Sequence, residues 1–286
     1  MYPNDLVRFK TGTVRLIICD LDSTLLNSQK LISGTSLKAI KAARERGIFV
    51  TVCTGRIPEM MEAYSRILEI RGCIIAANGA VIMDTRNGSL PYQEFANGKE
   101  SRQILEFCRS QGFDHMASAT EGCYYSPGSE RIKKFEQYNE IAGKENLRQI
   151  PLYRFSSDYQ SVETMKIYKL LASGLSADQQ RKTENFISTL PQSCYTSSEP
   201  GLLDISAAGV NKGRGVEILA KIMGYAKDEI CVFGDYYNDI PMFEAAGFSV
   251  AMGNADDEVK SKATVITGTN DEDGVAMAIE KYFLGR

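Results

Sequence analysis

Histidine is nearly absent: the 286 residues contain one, His115. A metal centre built from several histidines is thereby excluded. A Ser-His-Asp triad would have to use this residue, which follows the turn-like stretch Gly112-Phe113-Asp114, and a surface or hydrogen-bonded structural histidine is the simpler reading. The seven cysteines include no Cys-x-x-Cys pair, which removes support for zinc and thioredoxin-type readings. A cysteine-phosphatase loop needs an arginine six residues after its cysteine. Glu59 stands at that place after Cys53, and the other six cysteines fail as well. Neither GxxxxGK[ST] nor GxGxxG occurs, so the P-loop and dinucleotide fingerprints are missing. No apolar run approaches the roughly 18–20 residues of a membrane span. The opening MYPNDLVRFKTGT has no apolar core of signal-peptide length, so a cytoplasmic protein without membrane partners is expected. Positive charge is not in excess either: the net charge of -3 argues against a globally basic nucleic-acid-binding surface.

What is present is an ordinary globular composition, 43% hydrophobic and 24% charged, long enough for one large domain or two modest ones. Cys19, Cys53 and Cys231 end or sit inside the apolar runs LIIC, FVTVC and ICVF, as buried reduced thiols do. Such short continuous runs predict strands covered on both faces. The order is strand 14–19, helix 33–46 closed by Gly47, strand 48–53, helix 58–70 opened by Pro58, strand 73–77. This alternation predicts parallel pairing with right-handed crossovers. From Met83 to Ser206 the runs are less apolar and the loops longer. Helices are expected at 102–109 and 177–189, with a half-exposed antiparallel strand at 165–170. After Val210 the α/β rhythm resumes with a helix at 212–224, the ICVF strand, a helix at 241–246, the strand FSVAM, a helix at 255–262, the strand ATVI and a helix at 274–283. The expected architecture is a doubly wound, Rossmann-like α/β core made of residues 1–82 and 207–286. Residues 83–206 are expected to form an inserted α+β cap.

Ligands of open α/β sheets bind beyond the carboxyl ends of the strands. There this chain places Asp20 and Asp22, then Thr54, Gly55 and Arg56, then Asn78, then Asp235 with Asn238 and Asp239 just beyond, and Lys212 heads the preceding helix. Four carboxylates crowded at one edge raise one another's pKa unless a cation intervenes. A hard divalent ion with oxygen ligands resolves the repulsion, and Mg²⁺ fits a few carboxylates plus water and phosphate. Thr54 offers a hydroxyl and nearby N–H groups for a phosphate oxygen. Gly55, Arg56 and Asn78 are further candidates to bind phosphate or substrate. Acids, a metal, a lysine and a hydroxyl together form a phosphoryl-transfer kit. Taken singly each element has a plainer reading: a solvated turn at Asp20–Asp22, a surface carboxylate as the partner of Arg56, a hairpin-like turn at Asn78-Gly79, a helix cap at Asp235.

The ordered set Asp20-Leu-Asp-Ser-Thr24, Thr54-Gly-Arg56, Ala77-Asn-Gly-Ala80, Asn211-Lys-Gly213, Gly234-Asp-Tyr-Tyr-Asn-Asp239, Ala251-Met-Gly-Asn-Ala255 and Thr269-Asn-Asp-Glu-Asp-Gly-Val275 resembles the Cof-type phosphatases of the haloacid dehalogenase-like superfamily. The likeness runs from Leu16 to about Ile279. It departs at Ser23, where that subgroup usually has glycine. The resemblance implies that Asp20 attacks phosphorus and that Asp22 serves as general acid and then base. It also implies that Mg²⁺ is held by Asp20, the Asp22 main-chain carbonyl and Asp235. Asn238 or Asp239 would support the metal or Lys212, and Thr54 and Lys212 would hold the phosphoryl oxygens. A small phosphorylated metabolite is the expected partner, and no motif specifies an oligomeric state. A phosphotransferase or phosphomutase on the same scaffold, and a catalytically idle metabolite-binding regulator, are the alternatives.

Overall fold

The computed structural model describes residues 14–156 and 159–285. The first thirteen residues, read above for a signal segment, lie outside them. No helix among the described residues is long and apolar enough to cross a membrane.

The described residues open with β1 (Leu16–Cys19), α1 (Gly34–Glu45), β2 (Phe49–Val52), α2 (Met61–Ile67), β3 (Cys73–Ala76), β4 (Val81–Asp84) and β5 (Tyr92–Gln93). There follow α3 (Gly98–Gln111), β6 (Asp114–Ala119), β7 (Gly122–Tyr125), α4 (Ile132–Lys144), β8 (Leu152–Arg154), β9 (Ile167–Ser173), α5 (Ala177–Ile187), β10 (Ser193–Glu199) and β11 (Leu202–Ala207). The last stretch holds α6 (Lys212–Met223), β12 (Ile230–Gly234), α7 (Ile240–Ala245), β13 (Phe248–Ala251), α8 (Asp257–Lys260), β14 (Val265–Ile266) and α9 (Gly274–Ile279).

A five-stranded parallel sheet has the order β14-β13-β12-β1-β2. β1, β12 and β13 are buried on both faces and β2 nearly so, whereas the edge strand β14 is partly exposed. Ile17, Val50, Cys231 and Val250 pack on the side of α1 and α9, while Leu16, Ile18, Ile230 and Val232 pack on the side of α6 and α7. The continuous apolar runs arise from that double cover. The strand order reverses between β1 and β12, which makes their carboxyl ends the natural place for a ligand.

The third strand meets the sequence expectation on one side and departs from it on the other. β3 pairs antiparallel with β4, while toward β2 it keeps the expected parallel sense in an isolated bridge, Cys53 to Ile75, with the Thr54 N–H donating to the Ile75 carbonyl at 3.0 Å and the Thr51 hydroxyl to the Cys73 carbonyl at 2.7 Å. A tight turn at Ala77–Gly79 reverses the chain before a crossover helix can form. Met83 lies inside β4, and β5 extends the same small sheet, so residues 81–93 stay beside the first sheet. The helix expected over 58–70 is a single 3-10 turn, Pro58–Met60, followed by the short α2.

The second body is a six-stranded sheet, β10-β11-β9-β6-β7-β8, entered where the Ala96 N–H donates to the Ile167 carbonyl at 2.8 Å. One face carries α3 and α5 over Ile104, Leu105, Leu170 and Leu203. The other packs α4 and, from the first body, Ile57 and Met60 against Met116, Cys123 and Leu171. That double cover explains why β9, expected half-exposed, is buried throughout. The α4 helix was not foreseen, because its exposed residues outnumber its buried Ile132, Phe135 and Ala142. His115 is buried, with Nδ1 2.7 Å from the Phe113 carbonyl and Nε2 2.5 Å from the Tyr159 hydroxyl, a structural histidine.

The turn at Gly79 is where the two ends of the first body meet. Gly79 has φ +98°, and a Cβ there would stand 2.2 Å from the Asn211 carbonyl oxygen. Both the backbone and the packing reject a side chain. Gly79→Ala is expected to lower unfolding free energy by about 3 kcal/mol or more in urea titrations; a loss under about 1 kcal/mol would contradict this account of the turn.

Candidate active site

The parallel ladder delivers two of the acidic residues, Asp20 and Asp235. The Asp20 N–H donates to the Phe233 carbonyl at 2.9 Å, continuing the β1–β12 pairing one step past the strand. Cys53 and Thr54 continue β2 in the same way, donating to the Cys19 carbonyl at 2.9 Å and the Ile75 carbonyl at 3.0 Å. Asp235 follows β12 directly. Lys212 comes from the side: Asn211 caps α6, its Oδ1 accepting from the Arg214 N–H at 2.8 Å, and the next residue turns its side chain inward.

At the centre Lys212 Nζ donates to Asp20 Oδ1 and to Asp239 Oδ1, both at 2.6 Å, and all three side chains are buried. Carboxylate oxygens of Asp20, Asp235 and Asp239 lie within 4.8 Å of one another. Asp239 uses its second oxygen to accept the N–H groups of Asp235 at 2.8 Å and Tyr236 at 3.1 Å. Both of its oxygens are thus engaged, and its job here is to hold Lys212 and the loop carrying Asp235. Thr24, named in the sequence only as part of a motif, donates its hydroxyl to Asp235 Oδ1 at 2.6 Å.

Asp22 has different company. Arg56 grips it through Nε to Oδ2 and Nη2 to Oδ1, both at 2.8 Å, and Lys30 adds a bond to Oδ1 at 3.0 Å. Arg56 therefore meets a carboxylate inside the site rather than an unrelated surface group. Thr54 Oγ1 accepts from the Arg56 N–H at 3.2 Å, which leaves its hydroxyl proton free to donate. Gly55 presents its carbonyl to Lys169 of β9. Asn78 adopts a left-handed backbone (φ 54°) and donates its N–H to the Thr54 carbonyl at 3.0 Å. Its Oδ1 accepts from Asn238 Nδ2 at 3.3 Å, while its own buried Nδ2 has no partner among the described residues.

The two aspartates of the first loop titrate in opposite directions. Burial pushes the Asp20 carboxyl well above the usual range; Lys212 pulls against it, and the charges of Asp239 and Asp235 reinforce it. Burial and the Asp239 charge likewise push Asp235 up to about 7, against the Thr24 bond. Burial also disfavours ionised Asp22, but the bonds and charges of Arg56 and Lys30 outweigh it and hold that carboxyl below the usual range. Burial opposes the Lys212 charge, yet Asp20 and Asp239 outweigh it and keep the ammonium protonated above its ordinary range.

Motifs without an assigned role in the sequence clamp the loop that carries Asp20 and Asp22. Ser23 has φ 61°, a left-handed conformation that costs a non-glycine residue about 1–2 kcal/mol. Its carbonyl accepts from Asn254 Nδ2 at 2.9 Å. Asn254 Oδ1 accepts the Asn270 N–H, and Asn270 Nδ2 donates to the Leu26 carbonyl, each at 3.0 Å. Asp271 accepts from the Ser28 N–H at 2.8 Å. The serine thus keeps the backbone a glycine would take, held by residues about 230 and 245 positions away in the chain.

This fold and this cluster of acids around one lysine define a hydrolase of the haloacid dehalogenase type. The profile of the family described as haloacid dehalogenase-like hydrolase matches residues 17–279, and the chain belongs to that family. It is 33% identical to the 5-amino-6-(5-phospho-D-ribitylamino)uracil phosphatase YwtE of Bacillus subtilis (strain 168), over 96% of this chain and 99% of the relative. It is 26% identical to the pyridoxal phosphate phosphatase YbhA of Escherichia coli (strain K12), over 95% and 100%. The solved structure of a haloacid dehalogenase-like hydrolase from B. subtilis superposes with a TM-score of 0.81 at 28% identity, covering 93% of this chain and 99% of that one.

The raised acids set a pH dependence. Asp235 binds its proton more tightly in the folded metal-free protein than in the unfolded chain, whose carboxylates titrate near 4. Between about pH 4 and pH 7 the unfolded state has released that proton and the folded state still holds it, so stability falls as pH rises through this window. In EDTA the thermal midpoint is expected to decline from pH 5 to pH 7.5, with a shallower slope in Asp235→Asn. Identical slopes in the two proteins would refute the assignment.

Proposed function

We propose that this hydrolase is a magnesium-dependent phosphatase that cleaves small phosphate monoesters through an aspartyl-phosphate on Asp20. The observation that carries the reading is Lys212 shared between Asp20 and Asp239 beside Asp235: one buried cation among three buried carboxylates. The donor set fits Mg²⁺, since every available ligand is an oxygen and burial, reinforced by the neighbouring carboxylate charges, raises the acids of Asp20 and Asp235. Asp20, Asp235 and the Asp22 main-chain carbonyl would hold the ion, and Asn238, whose amide donates to Asn78, would support them. Bound there, Mg²⁺ supplies a Lewis acid that offsets the carboxylate and phosphoryl charges.

The chain's own residues perform the rest. Lys212 fixes Asp20 Oδ1 and orients the carboxylate for attack. An Asp20 oxygen bonds to phosphorus as the bond to the leaving oxygen breaks, and that oxygen takes a proton from Asp22. Asp22 then removes a proton from water, which attacks the same phosphorus and releases phosphate and free Asp20. In the conformation described here Asp22 is a base, because Arg56 and Lys30 stabilise its charge. For Asp22 to carry a proton, Arg56 must turn towards the incoming phosphate dianion, an exchange of one anion for another at the same guanidinium. The Thr54 hydroxyl and the unpartnered Asn78 amide are donors in reserve for phosphoryl oxygens. The second body packs against Ile57 and Met60, just past Arg56, where a cap would read the leaving group and exclude bulk water. The substrates named for two relatives, a phosphoribitylamino-uracil and pyridoxal phosphate, are small phosphate esters, which supports the reading.

Turnover of an aryl phosphate such as para-nitrophenyl phosphate is expected to require Mg²⁺ and to vanish in excess EDTA. Asp20→Asn is expected to lose roughly 10³-fold or more while remaining folded. Full activity in EDTA, or in that variant, would sink the mechanism. Asp22→Asn separates the acid from the nucleophile: kcat on an alkyl phosphate should drop about 10²–10⁴-fold, and far less on the aryl ester, whose leaving group needs no proton. Equal losses on both substrates would remove Asp22 from that role.

A further inference from the structure

The six-stranded sheet sends one buried cation into the catalytic loop. Lys169 on β9 pairs with Asp204 on β11, their side chains 8% and 1% exposed, and the second Asp204 oxygen accepts from the Ser198 hydroxyl at 2.6 Å. A buried ion pair is weak evidence for stability, since desolvation offsets most of the attraction. This pair has a further contact. Lys169 Nζ also donates to the Gly55 carbonyl at 2.6 Å.

That carbonyl belongs to the peptide unit whose N–H is Arg56. The unit is planar and trans, so fixing the oxygen on one side fixes the N–H on the other. The Arg56 N–H donates to Thr54 Oγ1, leaving the hydroxyl proton for a ligand oxygen, and the Arg56 side chain grips Asp22. A glycine at 55 allows the unit to rotate freely if nothing holds it. Farther along, the Tyr138 hydroxyl donates to the Glu59 carbonyl at 2.7 Å, and Ile57 and Met60 pack on Met116, Cys123 and Leu171. The strip from Gly55 to Met60 is therefore the surface on which the second body is seated.

We infer that Lys169, held by Asp204, is a positioning residue: it sets the Gly55–Arg56 peptide and so couples the seating of the second body to the alignment of Thr54, Arg56 and Asp22. The inference rests on the phosphatase reading for its kinetic consequence, but its structural consequence is independent of it. The test uses the full chain and the double variant Lys169→Met, Asp204→Leu, which leaves no buried charge alone, beside the conservative Lys169→Arg. Amide hydrogen exchange at residues 55–57, measured in EDTA without substrate, is expected to quicken at least tenfold in the double variant, with protection in β1 and β12 unchanged. With Mg²⁺ and glycerol phosphate, kcat is expected to fall at least tenfold with KM moved less than threefold, and Lys169→Arg should recover most of it. Exchange at 55–57 that stays as in the wild type overturns the inference, whether or not the wild type turns over phosphate esters. So does a kcat within twofold of wild type, or a loss confined to KM. Absence of wild-type turnover with quickened exchange overturns the phosphatase reading and leaves the structural coupling standing.

Discussion

Lys212 is the charge around which the first body is arranged. Its ammonium has been taken out of water, and such a group is tolerated only with anions in direct contact. Asp20 and Asp239 supply them at 2.6 Å each. The requirement spreads outward. Asp239 is held by two backbone N–H groups of the loop that carries Asp235, and Asp235 is tied to Thr24 in the loop that carries Asp20. Removing either partner of a buried pair costs about 3–5 kcal/mol, so this ring couples stability to the geometry chemistry needs.

The ring is also electrostatically incomplete. One lysine does not neutralise three carboxylates, and burial together with the mutual carboxylate charges raises the acids of Asp20 and Asp235. A site under such repulsion is poised to accept a cation or to carry protons. Asp22, two residues from Asp20, escapes this because it points to Arg56 and Lys30. Two carboxylates of one short loop thus acquire opposite tendencies, burial raising Asp20 and the cations Arg56 and Lys30 lowering Asp22.

The loop from Thr54 to Met60 joins the two bodies. Its beginning borders the acids, its middle grips Asp22, and its end is packed under the six-stranded sheet. No regular helix is available to stiffen it, since the segment after Pro58 makes one 3-10 turn before α2. Its order comes instead from contacts on both sides, including the carbonyl taken by Lys169.

The parallel sheet, the acids at its edge and Lys212 at a helix start were legible in the sequence because each depends on local pattern: short apolar runs ending in Asp, Thr-Gly-Arg or Gly-Asp. The antiparallel turn of β3 was not, since Asn78-Gly79 reads alike as a loop end or a hairpin, and the close approach of the Asn211 carbonyl decides it. Nor could sequence tell that Arg56 meets Asp22, that Asp239 is consumed in holding Lys212, or that Asn254 and Asn270 clamp Ser23 and Leu26. Those partners lie tens to hundreds of residues apart, and which pairs form is set by how the strands stack and where the second sheet is seated. Hydrophobic periodicity acts over a few residues and determined the elements, whereas hydrogen-bond partnership acts over about 3 Å and was decided only once the chain had folded.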